Sequence, residues 1–482
     1  MLQTLKNAWK TKEIRSKIIF TLFILLLYRI GTVIPVPFVE SNGFASSFSG
    51  TILDYMNTLS GGSLGTATLF ALGVSPYINA SIIIQLLAVV FPKLGELAKT
   101  DKEKMNFITR IVTVALAIVT AIGYYFLLKK GGALTNAASP EDNELFWFYG
   151  IVIVACYCAG ASVVMWLAER INERGIGNGI SIILFANIIS SLPSVIYNLG
   201  NLVVGTVNYP AKPWLYAIIS IVFALAFLAL LIGSVVFVIW VTGSERRIPI
   251  QYGKQVRGRK MFGGHSSNLP IKLNMTGVMP IIFASSIVSL IPTILALCGI
   301  DESTKSGWGT FSRIIAPDGI IYPVSLFLLI IAFAYFYTQI TFNPVEISNN
   351  LQKQNGTIRG IRPGKFTADH IRKILNKVTL VGALFLGLIA VLPVIAGPHA
   401  IEPLLRWIYT GAVSPEVDIA TQYTFYNNQY VTLQTAIEGQ ASALSSVFTF
   451  GGTSLLIVVG VAIETFRELE AQLTMRNFKN VF

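Results

Sequence analysis

The chain has 482 residues, of which 53% are hydrophobic and 12% are charged, and its formal net charge is +12. A soluble domain usually has about 25% charged residues, so this composition excludes an ordinary soluble enzyme and indicates a membrane protein. The basic excess needs no nucleic-acid partner to explain it if the charges lie in loops on one side of the membrane.

Ten apolar segments approach the roughly 20 residues that a membrane-spanning helix needs. We predict spans near residues 18–36, 69–92, 107–128, 146–168, 179–200, 214–242, 273–298, 320–342, 378–397 and 447–465. Pro193 predicts a break in the fifth span, and Pro280 and Pro292 predict breaks in the seventh. The basic N-terminus followed by an apolar run resembles a signal peptide, but the run from Ile18 to Val36 is longer than the apolar region of a signal peptide. We therefore expect a retained first span.

The distribution of lysine and arginine predicts the orientation. With the N-terminus inside, the inner segments contain 29 of these residues and the outer loops contain 6. Since basic residues accumulate on the cytoplasmic side, we expect both termini to be cytoplasmic.

An internal repeat relates the second and seventh spans. Residues 73–81 and 277–285 share Gly, Val, Pro, Ile, Ala and Ser at the same offsets, 204 residues apart. Either two apolar helices match by chance, or the chain is an all-α polytopic membrane protein with two five-helix halves, residues 1–200 and 201–482. The two spans run in opposite directions, so such halves are inverted and surround a central site or pore.

The spans themselves contain almost no ionisable residues. Spans 2 and 4 to 9 lack Asp, Glu, Lys, Arg and His, whereas ion-coupled transporters usually need such residues near the middle of the membrane. This absence disfavours an ion-coupled secondary transporter with inverted repeats, which is the alternative prediction. The alternative stays open because backbone carbonyls alone can hold sodium. Arg29, near the outer end of span 1, either reaches the membrane interface or packs against a loop.

Catalysis and metal binding are not predicted. The sequence has no HExxH or phosphate-loop motif, and its three histidines lie far apart in loops. Cys156, Cys158 and Cys298 read as small apolar packing residues. The sequence thus predicts neither an enzyme nor a cofactor.

Apolar side chains recur every four residues on two spans, as Val74, Ile78 and Ile82 on span 2 and as Ile180 and Leu184 on span 5. Such a stripe usually faces lipid or the protein core, but a ring of branched aliphatic residues can also seal a pore against water and ions. The repeat-matched Ile282 favours the pore. A pore-facing side chain is not packed in the core, so we expect substitutions here to change folding little.

Two inner loops, 243–272 and 343–377, are long and basic. They either contact anionic lipid and set topology or bind a partner, and their length favours a partner. The candidate docking residues are Arg246, Arg247, Arg257, Arg259, Lys260, Arg359, Arg362 and Lys365. The long outer loop 397–445 suggests no chemistry.

Several segments resemble the SecY family, whose members form the central subunit of the bacterial Sec protein-conducting channel. These are SGGSLGTATLFALGVSPYINASIIIQLL (60–87), ERGIGNGISIILFANII (173–189), NMTGVMPIIFASSI (274–287), FNPVEISNNLQKQNGTIRGIRPG (342–364), VTLVGALFL (378–386) and FGGTSLLIVV (450–459). The resemblance covers nearly the whole chain.

The resemblance implies a pore ring, a plug and a lateral gate. The ring positions are Val74, Ile78, Ile180, Leu184, Ile282 and Ile457. A plug is expected at about residues 58–69, including Ser60, Gly61, Gly62, Ser63, Leu64, Gly65 and Thr66. Spans 2 and 7 are expected to form the lateral gate, with Asn79, Gln85, Ser285 and Ser286 as its polar lining.

The resemblance also implies partners and a location. The basic inner loops correspond to a docking surface for the ribosome and the SecA motor ATPase, with Arg362 matching an important family arginine. SecE-like and SecG-like membrane subunits, signal sequences, nascent polypeptides and the lipid bilayer are the further expected partners. The expected location is the bacterial plasma membrane.

Overall fold

The computed structural model describes residues 6, 8–40, 53, 56–57, 60–134, 146–208, 214–253, 255–257, 260–262, 266–297, 307–316, 319, 321–411, 423–426 and 429–479. Within these ranges the chain is mainly helical. The helices are α1 (Lys12–Gly31), α2 (Ser75–Val90), α3 (Pro92–Thr100), α4 (Lys102–Lys130), α5 (Phe146–Arg174), α6 (Gly179–Asn208), α7 (Trp214–Gly243), α8 (Met279–Leu297), α9 (Gly307–Ile315), α10 (Ile321–Thr341), α11 (Pro344–Lys353), α12 (Lys365–Ala396), α13 (Glu402–Gly411) and α14 (Leu433–Lys479). The strands are β1 (Glu245–Tyr252), β2 (Gln255–Arg257), β3 (Lys260–Phe262), β4 (Ser266–Lys272), β5 (Gly356–Ile358), β6 (Tyr423–Tyr426) and β7 (Gln429–Thr432).

Each predicted span overlaps a helix, and the protein is a polytopic helical membrane protein. By length and composition alone, five helical segments among the described residues are long and apolar enough to cross a membrane. The number is six if α2 and α3, which are bent by 117° relative to each other, are counted as one span. The apolar segments Gly179–Ser194 and Met279–Leu295 are shorter.

Several helices extend beyond the predicted spans. Helix α12 begins at Lys365, within the predicted inner loop 343–377, which also contains α11 and β5. Helix α14 begins at Leu433, within the predicted outer loop 397–445. Hydropathy marks only the part of a helix that lies in lipid, and packing against the protein stabilises the polar turns beyond it.

The predicted proline breaks are wrong. Helices α6 and α8 continue through Pro193 and Pro292. Pro280 is the second residue of α8, just as Pro76 is the second residue of α2. A proline in the first turn loses no helical hydrogen bond, because the first N–H groups of a helix have no partner within it.

The two basic inner loops form one small sheet. Strand β1 pairs antiparallel with β4, from Glu245 opposite Lys272 to Gln251 opposite Ser266. On its other edge β1 pairs with β5, where Ile250 lies opposite Ile358. One face of this sheet is buried against α11 and α12 through a separate apolar cluster that includes Ile248, Ile250, Ile271, Leu351, Ile358, Ile371 and Leu375.

The N-terminal segment packs against the end of α14. Ala8 and Ile14 form a small buried cluster with Ile176 and Leu469, and Lys17 Nζ donates a hydrogen bond of 3.1 Å to Gln472 Oε1. The two ends of the described chain therefore lie on the same side of the helix bundle.

Candidate functional site

Helices α2 and α8 begin in the same way, as the repeat predicts. Gly73 and Gly277 both have a left-handed backbone, with φ of 54° and 66°, a conformation that glycine adopts without steric cost. Two residues after each glycine the helix begins, and a proline follows as its second residue. The repeat is therefore present in the backbone as well as in the sequence.

The first turn of each helix is also closed by an equivalent hydrogen bond. Ile78 N donates to Val74 O at 3.0 Å, and Ile282 N donates to Val278 O at 3.1 Å. Because the backbone geometry is repeated, Ile78 and Ile282 leave their helices at corresponding positions.

The six predicted ring residues all lie in one continuous buried apolar cluster. They come from four separate parts of the chain: the turn before α2 and α2 itself, the start of α6, the start of α8, and α14. Their exposed fractions are Val74 2%, Ile78 3%, Ile180 8%, Leu184 2%, Ile282 2% and Ile457 1%.

This burial overturns one expectation from the sequence. Ile78 and Ile282 are packed as tightly as core residues, so substitutions there cannot leave folding unchanged. The reason is that both side chains lie among other buried apolar side chains of the cluster and have almost no contact with water.

The predicted plug residues from Ser60 onward form consecutive turns. Ser63 and Leu64 are buried and Thr66 is exposed. Local hydrogen bonds hold these turns: Leu64 N donates to Ser60 Oγ at 3.1 Å, and Gly65 N donates to Asn57 Oδ1 at 2.7 Å. Residues 58 and 59 of the predicted plug lie outside the described residues.

Two tyrosines connect the plug segment to the helix bundle. Tyr124 of α4 donates its hydroxyl hydrogen to Leu64 O, and Tyr157 of α5 donates to Ala67 O at 3.2 Å. The two rings are in contact edge to face, with centroids 5.0 Å apart. Sequence reasoning missed both residues, because their partners are main-chain oxygens 60 and 90 residues away.

Arg29 packs beside the plug segment. Its Nη2 donates to Ala186 O of α6 at 3.4 Å, and its Nη1 lies 3.2 Å from the position that a Cβ atom on Gly61 would occupy. Of the two alternatives for this arginine, the structure thus supports packing against a loop.

Helices α2 and α8, the predicted gate pair, are in contact. The buried Oδ1 of Asn79 has no hydrogen-bond partner among the described residues. Ser285 Oγ donates to Ile282 O within its own helix at 3.0 Å, and Ser286 O accepts from Ser289 Oγ at 3.1 Å. These serines therefore make no hydrogen bond between the two helices within the part of the chain that the structure describes.

Gln85 is bonded to a third helix. Its Nε2 donates to Ser81 Oγ at 2.9 Å, and its Oε1 accepts from the Tyr337 hydroxyl of α10 at 2.6 Å. Sequence reasoning missed Tyr337, which lies 252 residues from Gln85. The only local signal is a tyrosine within a strongly apolar span, where its hydroxyl needs a partner.

Five of the predicted docking residues have exposed side chains: Arg246, Arg247, Arg359, Arg362 and Lys365. Arg247 Nε forms an ion pair with Glu245 at 2.7 Å. The main-chain oxygen of Arg362 accepts from Thr367 Oγ1 at 2.9 Å, which positions its turn at the start of α12. Arg259 lies outside the described residues, and for Arg257 and Lys260 only the backbone is described, in β2 and β3.

Lys272 belongs to the same sheet but has a different environment. Burial lowers the pKa of its ammonium group, the nearby Arg467 lowers it further, and Glu245 opposes both. Arg467 in turn donates to Thr242 O at 3.0 Å. That hydrogen bond joins α14 to α7.

These features define a class of protein: a polytopic helical membrane protein in which matched helix starts meet in a buried apolar cluster, with a glycine-rich segment packed against that cluster. A family model described as SecY matches residues 68–414. Similar curated relatives include the protein translocase subunit SecY of Streptomyces galbus, 37% identical, and that of Mycobacterium bovis, 36% identical, each covering 99% of both chains.

The chain belongs to the SecY family. Solved structures share its fold at lower sequence identity. One, described as "The structure of a protein conducting channel", has a TM-score of 0.55 at 16% identity and covers 95% of this chain and 92% of its own. Another, the Sec61 channel in a canine ribosome-channel complex, has a TM-score of 0.53 with the same identity and coverage.

Proposed function

We propose that this chain is a protein-conducting channel that passes unfolded secretory polypeptides across the membrane and releases transmembrane segments sideways into lipid. The observation that carries this proposal is that all six predicted ring residues are buried in one apolar cluster. An apolar constriction of this kind offers no ligands to ions, so ions face a steep dehydration barrier, yet it can widen around an extended chain.

The glycine-rich segment 60–66 supports a plug. Leu64 and Ala67 belong to the same buried cluster as the ring residues Val74 and Ile78. A third solved structure with this fold, with a TM-score of 0.54, is described as a SecY protein whose plug domain stabilises the closed state and maintains a membrane seal. We infer that residues 60–66 have that role here and that the contact between α2 and α8 is the lateral gate.

The channel is passive and depends on a partner for energy. Helices α2, α6, α7, α8 and α10 contain no Asp, Glu, Lys, Arg or His, which supports a pathway for polypeptide and gives no support to ion coupling. We propose that the chain has no catalytic activity of its own and that a SecA-type ATPase or a ribosome drives transport.

The basic sheet is the proposed docking surface. Strands β1, β4 and β5 unite the two inner loops, so Arg246, Arg247, Arg359 and Arg362 belong to one structural unit and not to two independent loops. Such a unit can present several arginines to a partner at once. Basic loops that only set the orientation of the spans in the membrane would not need to form a sheet. Helix α7 leaves most of its apolar surface uncovered, a surface that lipid or SecE-like and SecG-like subunits would cover.

We place the protein in the bacterial plasma membrane with both termini cytoplasmic. The packing of the N-terminal segment against the end of α14 supports one common side for the two ends. The matched starts of α2 and α8 support two inverted halves, residues 1–200 and 201–482.

The test is reconstitution in vesicles with SecE-like and SecG-like subunits. Addition of a SecA-type motor and ATP should drive a protease-protected, unfolded secretory protein into the vesicle lumen. Uptake of a small solute driven by an ion gradient without any motor would contradict the proposal and support the ion-coupled transporter.

A further inference from the structure

Tyr337 of α10 touches both helices of the proposed lateral gate. Its hydroxyl donates a hydrogen bond of 2.6 Å to Gln85 Oε1 on α2. Its ring lies against Phe283 of α8, with centroids 5.2 Å apart and an interplanar angle of 57°. One side chain on a third helix thus contacts the two helices that must separate when the gate opens.

The ring of Tyr337 is held in place by other aromatic residues. Phe336 of the same helix lies with its centroid 5.5 Å away. Phe333, one turn earlier on α10, contacts Tyr337 at 6.5 Å and Phe283 at 6.2 Å. These edge and tilted contacts are favourable geometries for aromatic pairs. Because they anchor the ring independently of the hydroxyl, the hydroxyl points at Gln85 without needing that bond to keep the ring in place.

The partner of the hydroxyl is already oriented. Gln85 Nε2 donates to Ser81 Oγ one turn earlier on α2, at 2.9 Å, so its Oε1 is turned toward α10. When α2 moves away, a half-buried acceptor and a half-buried donor lose each other at the same time, and an unpaired polar group within a membrane protein is costly.

We propose that Tyr337 is a positioning residue of the gate, whose hydroxyl bond to Gln85 holds α2 closed against α8 and sets how strongly a signal sequence must bind to open it. This proposal rests on the proposed function. Loss of one such hydrogen bond changes an equilibrium by a few-fold to about tenfold, a size suited to tuning selectivity without abolishing closure.

The same helix provides a matched control. Tyr335, two residues earlier, also donates its hydroxyl hydrogen to an oxygen on another helix, Asn376 O of α12, at 3.1 Å. Tyr335→Phe therefore deletes one interhelical hydrogen bond of α10, as Tyr337→Phe does, but at a contact that involves neither α2 nor α8.

The first experiment compares export of a protein bearing a defective signal sequence with export of the same protein bearing a normal one. Tyr337→Phe should raise the export rate with the defective signal sequence, relative to the rate with the normal one, several-fold. Tyr335→Phe should leave this ratio unchanged. A double-mutant cycle with Gln85→Leu should show that the second substitution adds little to the first. Equal ratios for the two phenylalanine variants, or full additivity with Gln85→Leu, would overturn the proposal.

The second experiment measures the gate without transport. Spin labels are attached at Ile83 of α2 and Ile291 of α8, both exposed, after the three native cysteines are replaced by alanine. In the reconstituted complex, Tyr337→Phe should populate longer label separations, and Tyr335→Phe should not. If the label separations lengthen in Tyr337→Phe while no variant exports protein, the role of Tyr337 in closing the gate is supported and the proposed function is contradicted. If export works but Tyr337→Phe changes neither the label separations nor the export ratio, only the role of Tyr337 is contradicted.

Discussion

Asn187 Nδ2 donates a hydrogen bond of 2.9 Å to the hydroxyl of Tyr28, and both side chains are fully buried. The bond connects α6 to α1 across 159 residues. Asn187 Oδ1 lies 3.0 Å from the position that a Cβ atom on Gly61 would occupy. The plug segment therefore rests directly on the contact between the two helices.

Gly61→Ala should displace the plug segment. Gly61 has a φ of 70°, and an added methyl group would meet Asn187 and Arg29. We expect the free energy of unfolding to fall by roughly 1–2 kcal/mol for the backbone strain, with a further loss from the clash. Resting ion conductance in a planar bilayer should rise, because the segment no longer fits against the cluster.

Gly62→Ala is the control for this substitution. Gly62 has a φ of 89°, but a Cβ atom there would have no neighbour within 4 Å. Gly62→Ala should lower the free energy of unfolding through backbone strain alone, and it should leave the resting ion conductance unchanged. Equal resting conductance for the two variants would refute the assignment of Gly61 to the seal.

Ile78→Asn combined with Ile282→Asn should open the constriction to ions. Polar amides let water remain in a narrow pore where aliphatic side chains exclude it. We expect higher resting conductance and weaker discrimination against defective signal sequences. Since both positions are buried, each substitution should also lower stability by about 1–3 kcal/mol.

Ile153→Asn combined with Ile330→Asn separates the leak from the loss of stability. Both isoleucines are fully buried in the same cluster, on α5 and α10, but neither is a predicted ring residue. The protein with this pair of substitutions should lose as much stability as the Ile78→Asn, Ile282→Asn variant, but its resting ion conductance should not rise. A leak of the same size would show that Ile78 and Ile282 do not line the narrowest point.

Asn79→Leu should act in the opposite direction to Tyr337→Phe. The buried Oδ1 of Asn79 has no hydrogen-bond partner among the residues that the structure describes, and an unsatisfied buried acceptor costs roughly 1–3 kcal/mol. Its replacement by leucine should raise the thermal unfolding midpoint and reduce export of proteins with weak signal sequences. Ser285→Ala removes a hydroxyl that is already bonded within its helix and should change neither. Increased export in Asn79→Leu would contradict this account of the closed gate.

Arg362→Glu should abolish motor-dependent transport. Its side chain is exposed and its fold contact is made by the main chain, so stability should change by less than about 1 kcal/mol. Arg15→Glu, a charge reversal at another exposed arginine on the N-terminal segment, should leave transport intact. Binding of the motor to reconstituted vesicles, measured with ATPase stimulation, checks the cause. Transport at ordinary salt by Arg362→Glu would exclude this arginine from docking.

The sequence alone determined the features that depend on short stretches of chain. The helix positions follow from hydropathy because each span must bury its own backbone polar groups in lipid. The matched starts of α2 and α8 follow from Gly73, Pro76, Gly277 and Pro280, since glycine and proline act on the local backbone. The same local rules failed at Pro193 and Pro292, which both lie inside continuous helices.

Only the tertiary structure decided which distant groups meet. The pairing of Ile250 with Ile358 joins two basic loops into one sheet, and Tyr124 and Tyr337 find their partners 60 and 252 residues away. Ile78 and Ile282 are likewise buried in one cluster with side chains from distant parts of the chain. A local pattern records the preference of each residue for water, lipid or a backbone angle, but a contact between distant residues depends on how the helices pack, which no single segment specifies.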